Sequence, residues 1–182
     1  MTMETPTCYG CRARTDSALH EGFRSAKPEM FIPLHDANSL KRIKLQYVTI
    51  GLIAANVIVY FFTTLGSEQF ATAAVYAFGY IPSVVFDYAD LPPELTILPE
   101  DLTYISYSFL HGDIFHLGGN MLFLWVFGDN VEDALGHIKF LIFYALCAVA
   151  GALLHGLIAP ESQVPLIGAS GAIAGVVTAY LM

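Results

Sequence analysis

The sequence predicts an all-α membrane protein in which apolar helices pack as a bundle. Of its 182 residues, 55% are hydrophobic and only 13% are charged, whereas soluble domains carry about 25% charged residues. The apolar residues are gathered into blocks of the length that crosses a bilayer. Because nucleic-acid binding needs a basic surface, the net charge of -8 argues against that class of function.

Basic residues ahead of the first apolar block predict a cytoplasmic N-terminus, because positive charges are retained on the inner side of a membrane. Residues 1–46 therefore form a predicted cytoplasmic N-terminal region. Met30 offers a second translation start, so residues 1–29 are either a disordered extension or not part of the natural product. Cys8 and Cys11 form half of a zinc-ribbon motif without a second pair, and they predict no metal site.

Four apolar segments are predicted to enter the membrane as helices. The first covers residues 47–65, and it is followed by segments at 114–130, 138–158 and 170–182. The fourth has only 13 residues, against about 20 for a complete span. An apolar helix that stops without a cap or a basic anchor is typical of a fragment. The chain is therefore expected to be a C-terminally truncated piece with about three and a half spans.

The long connection between the first two spans, residues 66–113, is predicted to carry short interfacial helices on the external side. Its aromatic-rich pieces at 70–80 and 104–110 combine Tyr and Phe with acidic residues, which suits the headgroup boundary of a bilayer. A connection of this length tends to be functional. A short cytoplasmic turn at 128–137 is expected between the second and third spans.

Three polar residues are expected at similar depth near the external side of the membrane. His116 and Asn120 share one helix face, and both are costly in hydrocarbon unless they face the bundle interior or a water-filled cavity. Ser170 begins the fourth apolar segment, where unpaired backbone N–H groups can stabilise an oxyanion. Together they predict a hydroxyl nucleophile with two oxyanion donors. Hydrogen bonding between helices explains the His and Asn equally well, and both interpretations stay open.

Three motifs in combination resemble the rhomboid intramembrane serine proteases, and the lead-in from Met30 to Tyr47 resembles that of the bacterial members. The motifs are His111-x4-His116-x3-Asn120, Gly128-x3-Glu132-x3-Gly136 and Gly168-Ala169-Ser170-Gly171. The resemblance implies a core of six transmembrane helices, so residues 47–182 would form an incomplete rhomboid-like transmembrane domain. It also implies a multi-pass protein of the bacterial inner membrane.

The resemblance implies a role for each matching polar residue. Ser170 matches the nucleophile of the family. His116 and Asn120 match the side chains that form the oxyanion hole together with the N–H of the serine. His111 matches a loop histidine that supports this region, and Glu132 matches part of a structural turn after the second helix.

The glycines around the serine are interpreted as structural. Gly168 and Gly171 flank Ser170 and support it. Gly171 and Gly175 place small residues on one face of the fourth segment, which allows a second helix to approach closely. In a rhomboid protease that partner would be the sixth helix, which carries the catalytic histidine.

The general base that the resemblance implies, a histidine in an Ala-His-x-x-Gly pattern on the sixth helix, is absent from this sequence. This chain alone is therefore expected to be inactive. His155 lies at a suitable depth but is interpreted as a packing or water-contacting residue. His137 is excluded by its cytoplasmic position, and His20 and His35 by their place before the first span.

The predicted function is that of an intramembrane serine endopeptidase that cuts transmembrane protein substrates near the external face of the lipid bilayer. No metal, cofactor or nucleic acid is expected to take part. The alternative is a proteolytically inactive rhomboid-like protein that binds membrane proteins. The presence of Ser170, His116 and Asn120 together favours the enzyme, because a pure binding protein does not need all three. Substrate identity and oligomeric state do not follow from the sequence.

Overall fold

Helices dominate the part of the chain that the computed structural model describes, residues 43–182. They are α1 (Tyr47–Thr64), α2 (Glu68–Phe78), α3 (Pro82–Val85), α4 (Glu100–Ser106), α5 (Ile114–Leu135), α6 (His137–Ile158) and α7 (Ser170–Leu181). A 3₁₀ turn, Tyr107–Phe109, follows α4 directly. Residues 43–182 contain no strand, so the predicted all-α class is confirmed. The predictions on residues 1–29, Cys8 and Cys11 lie outside the described residues.

Two helices in the described range, α1 and α6, are long and apolar enough to cross a membrane, with mean hydropathies of 1.7 and 2.2. Helix α5 is 22 residues long, like α6, but its apolar sequence is interrupted by His116, Asn120 and acidic residues near its end. Large apolar side chains such as Phe62 and Leu157 are exposed on α1 and α6. Contact of such side chains with acyl chains carries none of the free-energy cost of their exposure to water. The fold is therefore an all-α bundle of the membrane type.

Helix α5 continues well past the predicted end of its apolar segment. The turn expected at 128–137 is wrong, because the helix persists to Leu135 and only Gly136, with a φ of 81°, separates it from α6. Val131 and Glu132 are buried in this last stretch. The helix thus carries both side chains into the protein interior, and α5 and α6 meet in a hairpin with a single glycine at its corner.

The N-terminus of α1 is held by a carboxylate from α5. Both oxygens of the fully buried Glu132 accept backbone N–H groups, from Val48 at 3.0 Å and from Thr49 at 2.8 Å, and the Thr49 hydroxyl donates a further bond of 2.7 Å. His137 Nδ1 lies 2.5 Å from Oε1, the same Glu132 oxygen that accepts from Val48. The first N–H groups of a helix have no partner within it, so Glu132 satisfies them and joins the two spans.

Helix α7 packs against both α5 and α6. Its buried face consists of Ala172, Ile173 and Val176, and Ala148 and Ala152 of α6 are fully buried. Small residues allow helix backbones to approach closely, which is a common basis of helix association in membranes. This packing positions the first turn of α7, where Ser170 stands.

The small-residue face on α7 packs against α6 within the described residues, and the contact expected with a sixth helix stays a prediction. A β-carbon added at Gly171 would lie 3.4 Å from Gly151 Cα, and one added at Gly175 would lie within 2.8 Å of Cys147. Both neighbours belong to α6. The predicted close packing therefore occurs, but it joins α7 to the helix that precedes it in the chain, because a short connection brings consecutive helices side by side.

The external segment between α1 and α5 is tied to the loop that leads into α7. Tyr80 and Leu166 exchange two backbone hydrogen bonds of 3.1 and 2.8 Å, and Ser83 N–H donates to Ser162 at 3.0 Å. Helix α2 overlaps the predicted piece at 70–80. The end of α4 and the 3₁₀ turn after it overlap the predicted piece at 104–110, whereas α3 was not predicted. Backbone hydrogen bonds thus tie the loop before Ser170 to the external segment.

Candidate active site

The predicted nucleophile stands at the first residue of α7. Ser170 is exposed, while the two residues before it, Gly168 and Ala169, are buried. Gly168 has a φ of 113°, a conformation that residues with a side chain rarely adopt. Its N–H donates to the Tyr107 carbonyl at 3.0 Å. The chain therefore turns sharply into α7 and presents Ser170 beside N–H groups that have no partner within the helix.

The ring of His116 lies directly against the backbone of Gly168. A β-carbon added at Gly168 would be 2.6 Å from His116 Cε1 and 2.7 Å from Nε2, and 3.7 Å from Asn120 Nδ2. The helix face that carries His116 and Asn120 is thus directed at the residue two positions before Ser170. The structure brings these predicted site residues together from α5 and from the loop that leads into α7.

Asp113 sets the position of His116 by capping α5. Its Oδ1 accepts the N–H groups of Phe115 at 2.8 Å and of His116 at 2.9 Å. An Asp immediately before an apolar helix is a typical N-cap. This signal is present in the sequence, although the sequence analysis did not use it.

His111 and Asn120 form a buried hydrogen bond. Asn120 Nδ2 lies 2.9 Å from His111 Nε2, and the two residues are only 9% and 7% exposed. Burial, assisted by the nearby His116, lowers the pKa of His111 to about 4. The neutral ring therefore accepts from the amide through Nε2 and carries its proton on Nδ1. The second N–H of the same amide is not used in this bond.

Tyr107 links the external turn to both α6 and α7. It is 1% exposed, and its hydroxyl donates to the Ala148 carbonyl at 2.8 Å. β-Carbons added at Gly151 and Gly171 would lie 3.1 and 3.0 Å from that hydroxyl. Burial raises the pKa of Tyr107 to about 12, so the hydroxyl stays protonated. Sequence analysis missed this residue, because an interfacial tyrosine gives no sign of the carbonyl it will reach.

A cavity of about 270 Å³ opens beside the predicted nucleophile. Ser170 and His155 both line it, together with Tyr107. The described residues show no hydrogen bond between His155 and Ser170. His155 is half-buried, as a residue that contacts water would be. His137 lies at the opposite end of α6, beside Glu132, while His20 and His35 lie outside the described residues.

Comparison with known proteins supports a rhomboid domain in this chain. Residues 98–182 match the family model described as Rhomboid domain. Rhomboid protein 1, mitochondrial, of Saccharomyces cerevisiae is 37% identical over 83 residues, which are 43% of this chain and 24% of the yeast protein. The Rhomboid protease GluP of Bacillus subtilis is 39% identical over 72 residues, 40% of this chain and 14% of that protein.

A longer alignment is found with the Presenilin-associated rhomboid-like protein, mitochondrial, of Homo sapiens. It is 28% identical over 136 residues, which are 74% of this chain and 32% of the human protein. The chain thus spans less than a third of each of these three relatives. Together with the helical bundle, the matches show that the chain is similar to rhomboid proteins, and they indicate an integral membrane protein. Two of the three relatives are mitochondrial, so the expected bacterial type and inner-membrane location stay predictions.

Proposed function

We propose that this protein is a rhomboid-type intramembrane serine endopeptidase with Ser170 as its nucleophile. The observation that supports it most directly is the contact between His116 and Gly168 at the entrance to α7. Two side chains from α5 and the first N–H groups of α7 converge on the surroundings of one exposed serine. An arrangement that served only to join the helices would not need a hydroxyl at this point.

In the proposed reaction, Ser170 Oγ attacks the carbonyl carbon of the scissile peptide bond. A C–O bond forms, and the carbonyl electron pair moves to the oxygen. The Ser170 N–H, the His116 ring and the free N–H of Asn120 donate to that oxyanion. Donors fixed before the reaction stabilise the developing charge without reorganisation, and each is worth on the order of 100-fold in rate.

The reaction requires a general base that takes the proton of Ser170 and returns it to the leaving amine. Collapse of the intermediate breaks the C–N bond, and water then hydrolyses the acyl-enzyme in a second, equivalent cycle. His155 shares the cavity with Ser170 but makes no hydrogen bond to it within the described structure. The proposal therefore assigns this role to a histidine outside the present sequence, as the resemblance implies.

The proposed substrates are transmembrane segments of other proteins. Ser170 lies at the N-terminal end of α7, on the side of the bundle where α1 and α6 end. With a cytoplasmic N-terminus, that side is the external one. The apolar outer faces of these helices support a site in contact with lipid, where transmembrane segments can reach it. Cleavage near the external membrane face follows from this position.

Labelling with a serine-directed fluorophosphonate tests the proposal on protein purified from its native membrane. Wild-type protein should label, and Ser170→Ala should not. Ser67→Ala, which removes an exposed serine at the start of α2, is the matched control and should label like the wild type. Equal labelling of wild type and Ser170→Ala would exclude the assignment.

The alternative is a proteolytically inactive rhomboid-like protein that binds membrane proteins. It predicts that neither wild type nor Ser170→Ala labels, while both bind a transmembrane peptide with equal affinity. The same set of purified proteins, tested for labelling and for peptide binding in detergent micelles, separates the two functions.

A further inference from the structure

An apolar groove of about 440 Å³ lies between α1, α2 and the turn before α5. Phenylalanines form much of its wall, namely Phe62, Phe70, Phe78 and Phe109. The rings of Phe62 and Phe70 meet edge to face with centroids 5.7 Å apart, so they join the two helices at the groove. The groove is unrelated to Ser170, which lines a different cavity.

The two hydroxyls in the groove wall are already used by the protein. Ser106 donates to the Phe78 carbonyl at 2.6 Å, and Thr63 donates to the Val59 and Tyr60 carbonyls at 3.0 and 2.9 Å. The groove therefore offers no free hydroxyl donor to a polar ligand. An occupant must be apolar along its length, because an unpaired polar group in such surroundings is costly.

One wall of the groove is formed by α1, whose outer surface faces lipid. Helix α1 meets the length and hydropathy of a membrane span. Ile58 and Phe62 in its last two turns are 66% and 69% exposed, and Leu65, which follows the helix, is 85% exposed. These exposed side chains are stable in acyl chains and unfavourable in water. The groove is continuous with this surface, since Ile58 and Phe62 belong to both. The available apolar ligand at this place is the tail of a membrane lipid.

A second cavity, of about 460 Å³, meets the groove at Thr63 and Leu110, which line both. It is more polar, with Thr64, Ser67 and Glu68 in its wall. Among the residues that the structure describes, Glu68 is the single charged side chain in its wall, and no Lys or Arg lines either cavity. His111 also lines this cavity and is neutral, because burial lowers its pKa to about 4. The cavity thus favours a cationic group and disfavours a net anionic one.

We propose that the junction of α1 and α2 binds one phospholipid with an ammonium headgroup. Its acyl chain lies in the groove beside Phe62, and its ammonium group lies at Glu68. The junction is at the end of a membrane span, between Thr64 and Glu68, which is the depth at which headgroups and acyl chains meet. The site is a lipid-binding site separate from the proposed catalytic residues.

Native mass spectrometry of the purified, delipidated full chain tests this site. The protein is titrated with phosphatidylethanolamine or with phosphatidylglycerol of the same acyl composition. Phosphatidylethanolamine should bind roughly tenfold more tightly, a difference of about 1.4 kcal/mol. Equal affinity for both lipids in the wild type would overturn the proposed headgroup selection.

Two variants separate the tail contact from the headgroup contact. Phe62→Ala should weaken binding of both lipids several-fold, whereas Phe61→Ala, at a neighbouring exposed position outside the groove, should leave it unchanged. Glu68→Gln should abolish the preference for phosphatidylethanolamine, whereas Glu161→Gln, an exposed carboxylate elsewhere, should retain it. Equal effects of Phe61→Ala and Phe62→Ala would exclude the groove.

The proposed lipid binding is independent of the proposed protease function. Ser170→Ala should bind both lipids with wild-type affinity, because Ser170 lines neither cavity. Loss of lipid binding with normal fluorophosphonate labelling, or the reverse, therefore shows which of the two proposals has failed.

Discussion

Gly168 lies against the imidazole ring of His116 so closely that a β-carbon on the glycine would be 2.6 Å from the ring. This contact joins the loop before α7 to the first turn of α5. Its geometry depends on the positive φ of 113° at Gly168 and on the cap that Asp113 gives to α5. Both the approach of the ring and the backbone conformation require glycine at this position.

Gly168→Ala should lower the rate of substrate cleavage on the order of 100-fold, because the added methyl group displaces the His116 donor. Initial rates of the protein purified from its native membrane, on a fluorogenic transmembrane substrate in lipid vesicles, measure the effect. Gly112→Ala is the matched control, since a β-carbon there meets only Ile167 Cδ1 at an ordinary 3.6 Å. Wild-type rates in Gly168→Ala would refute the role of the contact.

Acid should destabilise the folded protein through His111. Its pKa is 6.5 ordinarily and about 4 in the folded state, so the unfolded chain binds more protons between these values. The contribution of His111 to stability is therefore unchanged above pH 6.5, declines as pH falls from 6.5 to 4, and is level below 4. Protonation also removes the acceptor of the Asn120 amide.

Unfolding midpoints in detergent, measured across this pH range, test the assignment. His111→Gln lacks the titrating ring, so its stability should fall less between pH 6.5 and 4 than that of the wild type. An identical pH dependence in the variant and the wild type would show that other groups cause the acid sensitivity.

Removal of Glu132 should be strongly destabilising. Glu132→Ala loses three hydrogen bonds to Val48 and Thr49, and charge-assisted bonds are worth about 1.5–3 kcal/mol each in favourable cases. We expect a loss of roughly 3–5 kcal/mol, read from thermal unfolding in detergent. Thr49→Val should cost less, because it removes one bond and leaves the backbone caps. Glu161→Ala, at an exposed position, should have no effect, and a similar loss in both Glu variants would contradict the capping role.

The contact between Gly175 and Cys147 should be sensitive to added volume. A β-carbon at Gly175 would lie 2.3 Å from Cys147 Sγ, so Gly175→Ala should destabilise the bundle by roughly 1–3 kcal/mol. Cys147→Ala should recover part of that loss, because it removes the clashing sulfur. Gly51→Ala, with no atom within 4 Å of the added carbon, serves as the control. Strictly additive effects of the two substitutions would show that α6 and α7 do not meet at this point.

The helices themselves could be predicted from the sequence with small errors at their ends. Three apolar blocks became α1, α6 and α7 with ends close to those predicted, because hydrophobic runs of this length form helices in a bilayer. The end of α5 was wrong, since a single glycine, Gly136, and the burial of Glu132 extend that helix through acidic residues. No local pattern indicates that a carboxylate will be buried by bonds to another helix.

The site residues could be selected from the sequence, but their arrangement could not. Their chemistry and spacing singled out His116, Asn120 and Ser170, and their catalytic roles stay predictions. Tyr107 and Asp113 were not selected, although they position the loop and the first turn of α5. Their importance depends on which backbone groups they reach, and a sequence does not contain those distances.

By itself, the sequence determined that the chain forms apolar helices and that polar side chains enter them at matching depths, because hydropathy and spacing are properties of the chain alone. The tertiary structure decided which helix meets which. It placed α7 on α6 through Gly171 and Gly175, and it set Gly168 against His116. These contacts depend on close packing between residues far apart in the chain, where the space for a single methyl group determines which helices can pack together.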